Sequence, residues 1–294
     1  MLRAYGLTDK GRVRPTNEDC LAIREELGLC VIADGMGGHN AGEVAARLAV
    51  DAVVEFIGER CARPEPARET SRSAEGAKAA GEREALRLAA HPEPVEGRAP
   101  RSGQADTAWP FGDDASLSVD GNLLRTAVYL ANVQILETAI SADRYAGMGT
   151  TIVAARVSGR GLSIAHVGDS RLYLAAKRRL RQVTIDDSWM ASMLAHDPEA
   201  NAFLLQHHPL CNALTNVVGA GSRTNVHVTE QVLAGGEMIL LSTDGVHGVL
   251  DDARLEQLVL DEEDPRTIVQ NVVAAALLRG SCDNCTAIAA RYLP

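Results

Sequence analysis

Three apolar runs of this chain each stop at an aspartate. The segments LCVIAD, SIAHVGD and MILLSTD end at Asp34, Asp169 and Asp244. Two further acids have a similar context, because Asp19 stands just before the run CLAIR and Asp283 just before the run NCTAIAARY. Short apolar runs bounded by glycine and polar residues are typical of buried strands. If the ends of these strands meet at one edge of a pair of sheets, the carboxylates converge there.

Converging carboxylates repel one another and need cations between them. Oxygen-only ligands select hard ions such as Mg²⁺ or Mn²⁺. Gly35 and Gly245 follow two of the aspartates, where glycine lets the backbone turn and brings its carbonyl close to a metal. A single Asp-Gly pair after a strand is most often only a turn. The spacing alone therefore leaves both a metal site and a set of ordinary turns open.

The remaining pattern predicts sheets covered by helices. Predicted strands cover residues 2–8, 20–24, 28–33, 150–157, 162–168, 171–175, 237–242 and 284–292. Helical spacing appears at residues 41–58, 122–142, 251–260 and 265–279. Several strands follow one another through short turns and do not alternate regularly with helices, which disfavours a parallel doubly wound sheet.

Charge and composition narrow the class of protein. The net charge of −10 argues against a general nucleic-acid binder, because such a protein would need cations to replace counterions on phosphates. No apolar stretch approaches the ~20 residues that cross a bilayer, and the segment MLRAYGLTDKG lacks a signal-peptide core. The six cysteines lack regular spacing, which suits reduced thiols. We therefore expect a cytoplasmic protein that binds neither nucleic acid nor membrane.

Two segments stand apart from this pattern. Residues 61–120 are rich in Pro, Glu, Arg, Ala, Gly and Ser with almost no apolar periodicity, which predicts a flexible insertion between two core helices. The segment CDNC, from Cys282 to Cys285, invites a zinc interpretation. A zinc site wants four ligands, and no second Cys/His pair of suitable spacing accompanies it, so we do not expect zinc.

Seven stretches together resemble the metal-dependent Ser/Thr protein phosphatases of type 2C in their compact bacterial form. In the family's order they are TDKGRVRPTNEDC, VIADGMGGHNAGEVAA, GMGTTIVAARV, IAHVGDSRLYL, LTNVVGA, ILLSTDGVHGVL and DNCTAIAARY. The resemblance covers nearly everything outside 61–120 and implies one phosphatase domain over residues 1–294. It implies an α+β fold, a four-layer α-β-β-α sandwich of two antiparallel sheets flanked by helices, with a binuclear Mn²⁺ or Mg²⁺ centre at one end.

The resemblance also assigns the metal ligands. By motif match, Asp34 bridges both metals, the Gly35 carbonyl binds one of them, and Asp244 and Asp283 complete the other. Asp19 lies beside the centre and acts mostly through water.

Further roles follow from the same resemblance. Asp169, with Asp244, matches the pair that holds a third, weaker metal in bacterial members, so two or three ions are expected. Arg14 matches the arginine that grips the substrate phosphate, a role that suits its bidentate fork. His39 neighbours the site and is either a proton donor to the leaving oxygen or an ordinary surface histidine. Eukaryotic members carry a histidine directly after the Asp-Gly pair, where this chain has Met36.

The implied activity is removal of phosphate from phosphoserine and phosphothreonine in proteins. A water between two divalent ions is acidified and oriented for in-line attack on phosphorus. The expected substrates are proteins phosphorylated by a bacterial Ser/Thr kinase, and the expected state is a monomer. The alternatives are a non-catalytic phosphatase-like module that binds phosphoproteins, or a small-molecule phosphoesterase. The non-catalytic interpretation is disfavoured because Arg14, Asp34, Asp244 and Asp283 are all present, whereas such modules usually lose a ligand.

Residues 183–218 match the mobile flap that borders the family's active site. Bacterial members often read Asp-His-Ser where this chain has Asp186-Asp187-Ser188. The extra acid could repel acidic phosphopeptides or favour basic ones. The stretch WMASMLAHDPEANAFLLQHHP within the flap has helical character.

Overall fold

The computed structural model of the chain describes residues 1–37, 41–62, 112–197 and 199–293. These ranges contain eleven strands: β1 (Leu2–Asp9), β2 (Asp19–Arg24), β3 (Leu29–Met36), β4 (Gly149–Thr150), β5 (Ile152–Ser158), β6 (Gly161–Val167), β7 (Arg171–Ala176), β8 (Arg179–Gln182), β9 (His227–Val232), β10 (Met238–Ser242) and β11 (Cys285–Tyr292). They also contain seven α-helices: α1 (Ala41–Ala62), α2 (Val119–Ser141), α3 (Trp189–His196), α4 (Ala202–Gln206), α5 (Asp244–His247), α6 (Asp252–Leu260) and α7 (Pro265–Leu278).

The strands form two antiparallel sheets. The first sheet has the order β1-β11-β10-β7-β8, and the second has the order β2-β3-β5-β6-β9, with β4 paired beside the end of β3. Two-residue turns join β5 to β6 and β7 to β8, and a short 3-10 helix (Glu25–Leu27) joins β2 to β3, so that these neighbours in sequence are also neighbours in the sheets. The absence of βαβ crossovers in this order confirms the expected antiparallel architecture.

Apolar side chains of the two sheets meet in a central core. Ile32, Val153 and Ile164 of the second sheet pack in one buried cluster with Leu241 and Ile288 of the first sheet. Each of these side chains is fully or almost fully buried. Because side chains alternate between the two faces of a strand, the neighbours of these residues must face away from the central core and require a second covering layer.

Helices supply that covering on both outer faces. Val31 and Ala154 pack with Val53 of α1 and Leu124 of α2. On the opposite side, residues of the first sheet pack with the cluster that α6 and α7 contribute, including Leu255, Val269 and Val272. The order of layers is therefore helix, sheet, sheet, helix, which confirms the four-layer sandwich.

The helix boundaries follow from local chemistry. The Ser118 side chain accepts a hydrogen bond from the Gly121 amide and caps α2, and Asp251 and Asp264 cap α6 and α7 in the same way. Pro265 occupies the first turn of α7, where its missing amide costs nothing.

Two strands escaped the sequence prediction. Both β8 and β9 lie at the edges of their sheets, and their burial alternates between partly buried and exposed residues. Edge strands bury little apolar area, so their sequences carry a weak periodicity. The helical character expected within 183–218 is confirmed by α3 and α4.

The predicted insertion at 61–120 lies mostly outside the described residues. At its edges, α1 continues to Ala62 and α2 begins at Val119. Within the described ranges, no helix combines the length and the apolar character that crossing a membrane requires.

Candidate metal centre

A cavity of about 240 Å³ opens where strand ends of both sheets meet. Its walls bring together six of the residues singled out from the sequence: Arg14, Asp34, Gly35, Asp169, Asp244 and Asp283. Asp19 is buried beside them, with 7% of its surface exposed. The predicted convergence of strand-end carboxylates is thus what the fold produces.

Antiparallel pairing places Asp19 and Asp34 side by side. They are register partners at the ends of β2 and β3. The Asp34 amide donates to Thr151 Oγ1 at 3.1 Å, and the Asp34 carbonyl accepts from the Thr150 hydroxyl at 2.8 Å. These bonds hold the backbone at the end of β3, and they agree with a structural role for Thr150 and Thr151.

Glycines after Asp34 allow β3 to approach α1 closely. A Cβ on Gly35 would lie 2.0 Å from the Gly42 carbonyl oxygen and 2.8 Å from the Glu18 carbonyl oxygen. The Gly35 amide donates to the Glu18 carbonyl at 3.2 Å. Because any side chain would separate these segments, the glycine-rich sequence follows from the need to hold Asp34 against the first turn of α1.

Asp19 is anchored on one oxygen and unpaired on the other. Its Oδ2 accepts hydrogen bonds from Thr243 Oγ1 at 3.0 Å and from Thr286 Oγ1 at 2.6 Å. Its Oδ1 is buried without a hydrogen-bond partner. Burial raises the pKa of Asp19 to about 7, against the opposing effect of the two threonine hydroxyls.

The other carboxylates also carry raised pKa values. Burial, reinforced by Asp19 and Asp244, raises the pKa of Asp34 well above its usual range. Burial and then Asp283 raise the pKa of Asp244. Burial, followed by Asp244, raises the pKa of Asp169 to about 7. The ionised carboxylates repel one another, and bound cations would reduce that repulsion.

Asp283 and Arg14 form an ion pair at the mouth of the cavity. Arg14 Nη2 donates to Asp283 Oδ2 at 2.6 Å, and this bond is the main cause of the raised pKa of Arg14. The neighbouring Asn284 positions the loop that carries Arg14, because its Nδ2 donates to the Lys10 and Thr16 carbonyls. Its Oδ1 accepts from the Glu18 amide at 2.8 Å.

The donor set fits hard divalent cations. Asp244 Oδ1, like Asp19 Oδ1, is buried without a partner, and an unpaired buried carboxylate oxygen is a costly feature that a cation would satisfy. Within the described ranges, no three Asp, Glu, His or Cys side chains already form a closed set of metal ligands. The fit therefore rests on the donor chemistry and the unpaired oxygens.

Some site residues were not found from the sequence. Asn212 and Leu214 line the cavity from the flap. They follow no strand-end pattern, and only the fold brings them here. His39 lies outside the described residues, so its role as a proton donor stays a prediction.

Two other expectations can be compared with the structure. Asp187 was expected to influence charged substrates, which stays a prediction; its carboxylate accepts bonds from Gly168, Asn216 and His227. Cys282 is exposed and Cys285 is buried, so the two thiols lie in different environments.

Comparison with known proteins agrees with this geometry. Residues 14–274 match the protein phosphatase 2C family. The serine/threonine phosphatase stp of Listeria welshimeri serovar 6b is 27% identical over 284 residues, which are 96% of this chain and 92% of that protein.

Solved structures show the same architecture. The crystal structure of the serine/threonine phosphatase Stp1 from Staphylococcus aureus matches with a TM-score of 0.72 at 26% identity, over 100% of this chain and 96% of that one. The catalytic domain of the serine/threonine protein phosphatase PstP, in complex with two manganese ions, matches with a TM-score of 0.72 at 23% identity, over 100% and 99% of the two chains.

Proposed function

This chain belongs to the protein phosphatase 2C family, and from that premise we propose that it hydrolyses phosphoserine and phosphothreonine in proteins with the help of divalent cations held by its clustered aspartates. The cations are Mn²⁺ or Mg²⁺, in keeping with ligands that are all oxygens. The observation that carries the proposal is the convergence of acids from both sheets on one cavity, with unpaired buried oxygens on Asp19 and Asp244.

The roles of the acids follow from their match to the family's motifs. Asp34, central in the electrostatic network, would hold the ions together with the Gly35 carbonyl, Asp244 and Asp283. When bound, the two cations supply Lewis acidity that activates a water for attack on phosphorus. Asp19 orders water beside the centre through its unpaired Oδ1 while Thr243 and Thr286 hold its other oxygen.

A weaker third ion would be held by Asp169 with Asp244. The two residues line the same cavity, and Asp244 is the main charged neighbour that raises the pKa of Asp169.

Arg14 binds the phosphate of the substrate. Its side chain is half exposed at the mouth of the cavity and is paired with the Asp283 carboxylate. If Asp283 turns toward a cation, the guanidinium is released to meet phosphate oxygens through two parallel hydrogen bonds. The pairing seen here is therefore compatible with both roles.

The substrates that fit this proposal are proteins phosphorylated by a bacterial Ser/Thr kinase, because the matched relatives are bacterial serine/threonine phosphatases. We further propose that the chain acts as a monomer in the cytoplasm. All six cysteines are free thiols, which suits a reducing compartment.

The decisive experiment measures hydrolysis of p-nitrophenyl phosphate and of a phosphothreonine peptide by chelated protein, before and after Mn²⁺ or Mg²⁺ is added. We expect no activity after chelation and recovery with either metal. Asp244→Asn should lower turnover by orders of magnitude at ordinary metal concentrations, whereas Asp51→Asn, on the exposed face of α1, should not.

Each result separates the alternatives. Full activity in chelated protein would exclude the metal-dependent mechanism. Tight binding of the phosphopeptide without hydrolysis at any metal concentration would favour the non-catalytic module. Hydrolysis of p-nitrophenyl phosphate together with inert phosphopeptides would favour a small-molecule phosphoesterase.

A further inference from the structure

Asp187 connects three separate segments of the chain. It lies near the start of the flap, residues 183–218, and 14% of its side chain is exposed. Its backbone carbonyl accepts from the Thr215 amide at 2.8 Å, and its carboxylate accepts from Asn216 Nδ2 at the same distance. Asp187 therefore joins the two ends of the flap, next to the bond from the Trp189 amide to the Ala213 carbonyl.

Asp187 also makes hydrogen bonds with the turn that precedes Asp169. The Asp187 amide donates to the Gly168 carbonyl at 2.9 Å, and Asp187 Oδ2 accepts from the Gly168 amide at 3.0 Å. Both polar backbone groups of Gly168 are thus bound by Asp187. Asp169, the next residue, lines the acidic cavity.

The turn at Gly168 needs stabilising contacts from other segments of the chain. Gly168 has a φ of +96°, and a Cβ there would lie 2.7 Å from the Thr151 side chain. The turn is therefore restricted to glycine, the residue that loses the most conformational freedom on folding. Hydrogen bonds from another segment to the backbone of Gly168 would therefore help to fix the position of the Asp169 carboxylate.

The far side of Asp187 is held by the second sheet. Asp187 Oδ1 contacts His227 Nε2 at 2.9 Å. His227 stacks on its register partner His166, with ring centroids 4.9 Å apart, and His166 Nε2 contacts the Ile185 carbonyl at 2.9 Å. The carboxylate is therefore fixed at both oxygens by groups from rigid strands and from the flap.

We infer that Asp187 is a positioning residue, which fixes the turn that presents Asp169 and holds the flap closed against the same edge. The inference rests on the proposed function for its catalytic consequence, but the structural link between flap and turn stands independently. It gives a structural role to the residue at which this chain departs from Asp-His-Ser.

Hydrogen-bond geometry and negative charge can be separated by two variants. Asp187→Ala removes every side-chain bond. Asp187→Asn retains them, because the amide oxygen can accept from Gly168 and Asn216 while the NH₂ group donates to the neutral Nε2 of His227. The matched control is Asp197→Ala, an exposed flap acid whose side chain accepts a local bond from the Glu199 amide.

The kinetic arm uses p-nitrophenyl phosphate with Mn²⁺ varied, and calorimetry counts the bound ions. Loss of an outer hydrogen bond to a metal site typically costs roughly ten- to a hundredfold in metal affinity or activity. We expect Asp187→Ala to lower kcat by about tenfold with little change in KM, and to weaken the weakest bound Mn²⁺ by a similar factor. Asp187→Asn should recover most of both, and Asp197→Ala should match the parent protein.

The structural arm uses metal-free protein and does not depend on catalysis. Trp189 begins α3 within the flap and stacks on His208 at 4.3 Å. In a Trp109→Phe background it is the single tryptophan of the chain. Acrylamide quenching of Trp189 should increase in Asp187→Ala and stay at the parent level in Asp187→Asn and Asp197→Ala.

Defined outcomes would overturn the inference. Equal quenching and equal Mn²⁺ affinity in Asp187→Ala and Asp197→Ala would show that Asp187 holds nothing. Equal impairment in Asp187→Asn and Asp187→Ala, with both variants folded by circular dichroism, would show that charge and not position matters. Absence of phosphatase activity in the parent protein would instead count against the proposed function and leave the quenching result to decide the link.

Discussion

Replacing Asp19 by asparagine should stabilise the metal-free protein in a pH-dependent way. Asp19 is 7% exposed, and burial raises its pKa from 3.8 to about 7. A carboxyl with a higher pKa in the folded state binds its proton more tightly there than in the unfolded chain. The free energy of unfolding therefore falls as pH rises from about 4 to about 7, and it stays low above that range.

The size of the effect follows from the two pKa values. A rise from 3.8 to about 7 costs the folded state about 4 kcal/mol once the group is ionised in both states, and about 2 kcal/mol at pH 5. The asparagine oxygen can accept the bonds from Thr243 and Thr286. Its buried NH₂ group can lack a partner, at a cost of about 1–3 kcal/mol, but that cost does not vary with pH.

The robust quantity is therefore the change in the mutational effect between two pH values. We expect Asp19→Asn to be about 2–3 kcal/mol more favourable, relative to the parent, at pH 8 than at pH 5. Relief of the repulsion on Asp34 acts in the same direction. The assay is urea unfolding of chelated protein, followed by circular dichroism, with Asp51→Asn as an exposed control.

Two results bear on the reasoning. A mutational effect of Asp19→Asn that is equal at pH 5 and pH 8 would refute the assignment of a raised pKa to Asp19. Addition of Mn²⁺ at pH 8 should stabilise the parent more than the variant, because the parent carries more of the negative charge that the cations neutralise. The reverse order would show that Asp19 takes no part in the charge of the metal centre.

Two further variants test the substrate and packing assignments. Arg14→Ala should raise KM for a phosphothreonine peptide roughly ten- to a hundredfold with a smaller change in kcat, since it removes a charged hydrogen bond already made in the bound substrate; a fall in kcat alone would count against phosphate binding. Gly35→Ala should lower the free energy of unfolding of chelated protein by about 3 kcal/mol, because its Cβ would lie 2.0 Å from the Gly42 oxygen. Gly58→Ala, in α1 with its nearest neighbour 3.9 Å away, should instead gain about 0.5–1 kcal/mol, and a chemical denaturation series compares the two directly.

The sequence predicts the convergence of the strand-end carboxylates well because its main signal is local. An apolar run that ends at an aspartate specifies both a buried strand and the position of the acid at its end, as at Asp34 and Asp244. The four layers follow from the same runs together with the helical periodicity at 41–58 and 265–279.

The rest of the site depends on contacts between segments far apart in the chain. Asn284 holds the loop around Thr16, and Asp283 binds Arg14 across 269 positions. A single asparagine or ion pair produces no repeating pattern in the sequence, so its contacts cannot be predicted from the sequence. The role of Asp187 is equally hard to predict from the sequence. Its neighbours in the chain suggest a charge that affects the substrate, and they do not reveal the hydrogen bonds that its carboxylate makes with Gly168 and His227.

The candidate metal centre and the contact between the two sheets depend on the same hydrogen bonds. Asp19 belongs to the second sheet, yet both hydroxyls that hold it, on Thr243 and Thr286, lie at the strand ends of the first sheet. The bonds that orient the Asp19 carboxylate thus also join the sheets. The carboxylates repel one another across the same boundary, with Asp34 on one side and Asp244 on the other. Cations bound between these carboxylates would replace the repulsion by attraction. Metal binding should therefore increase the free energy of unfolding of the whole sandwich as well as support activity.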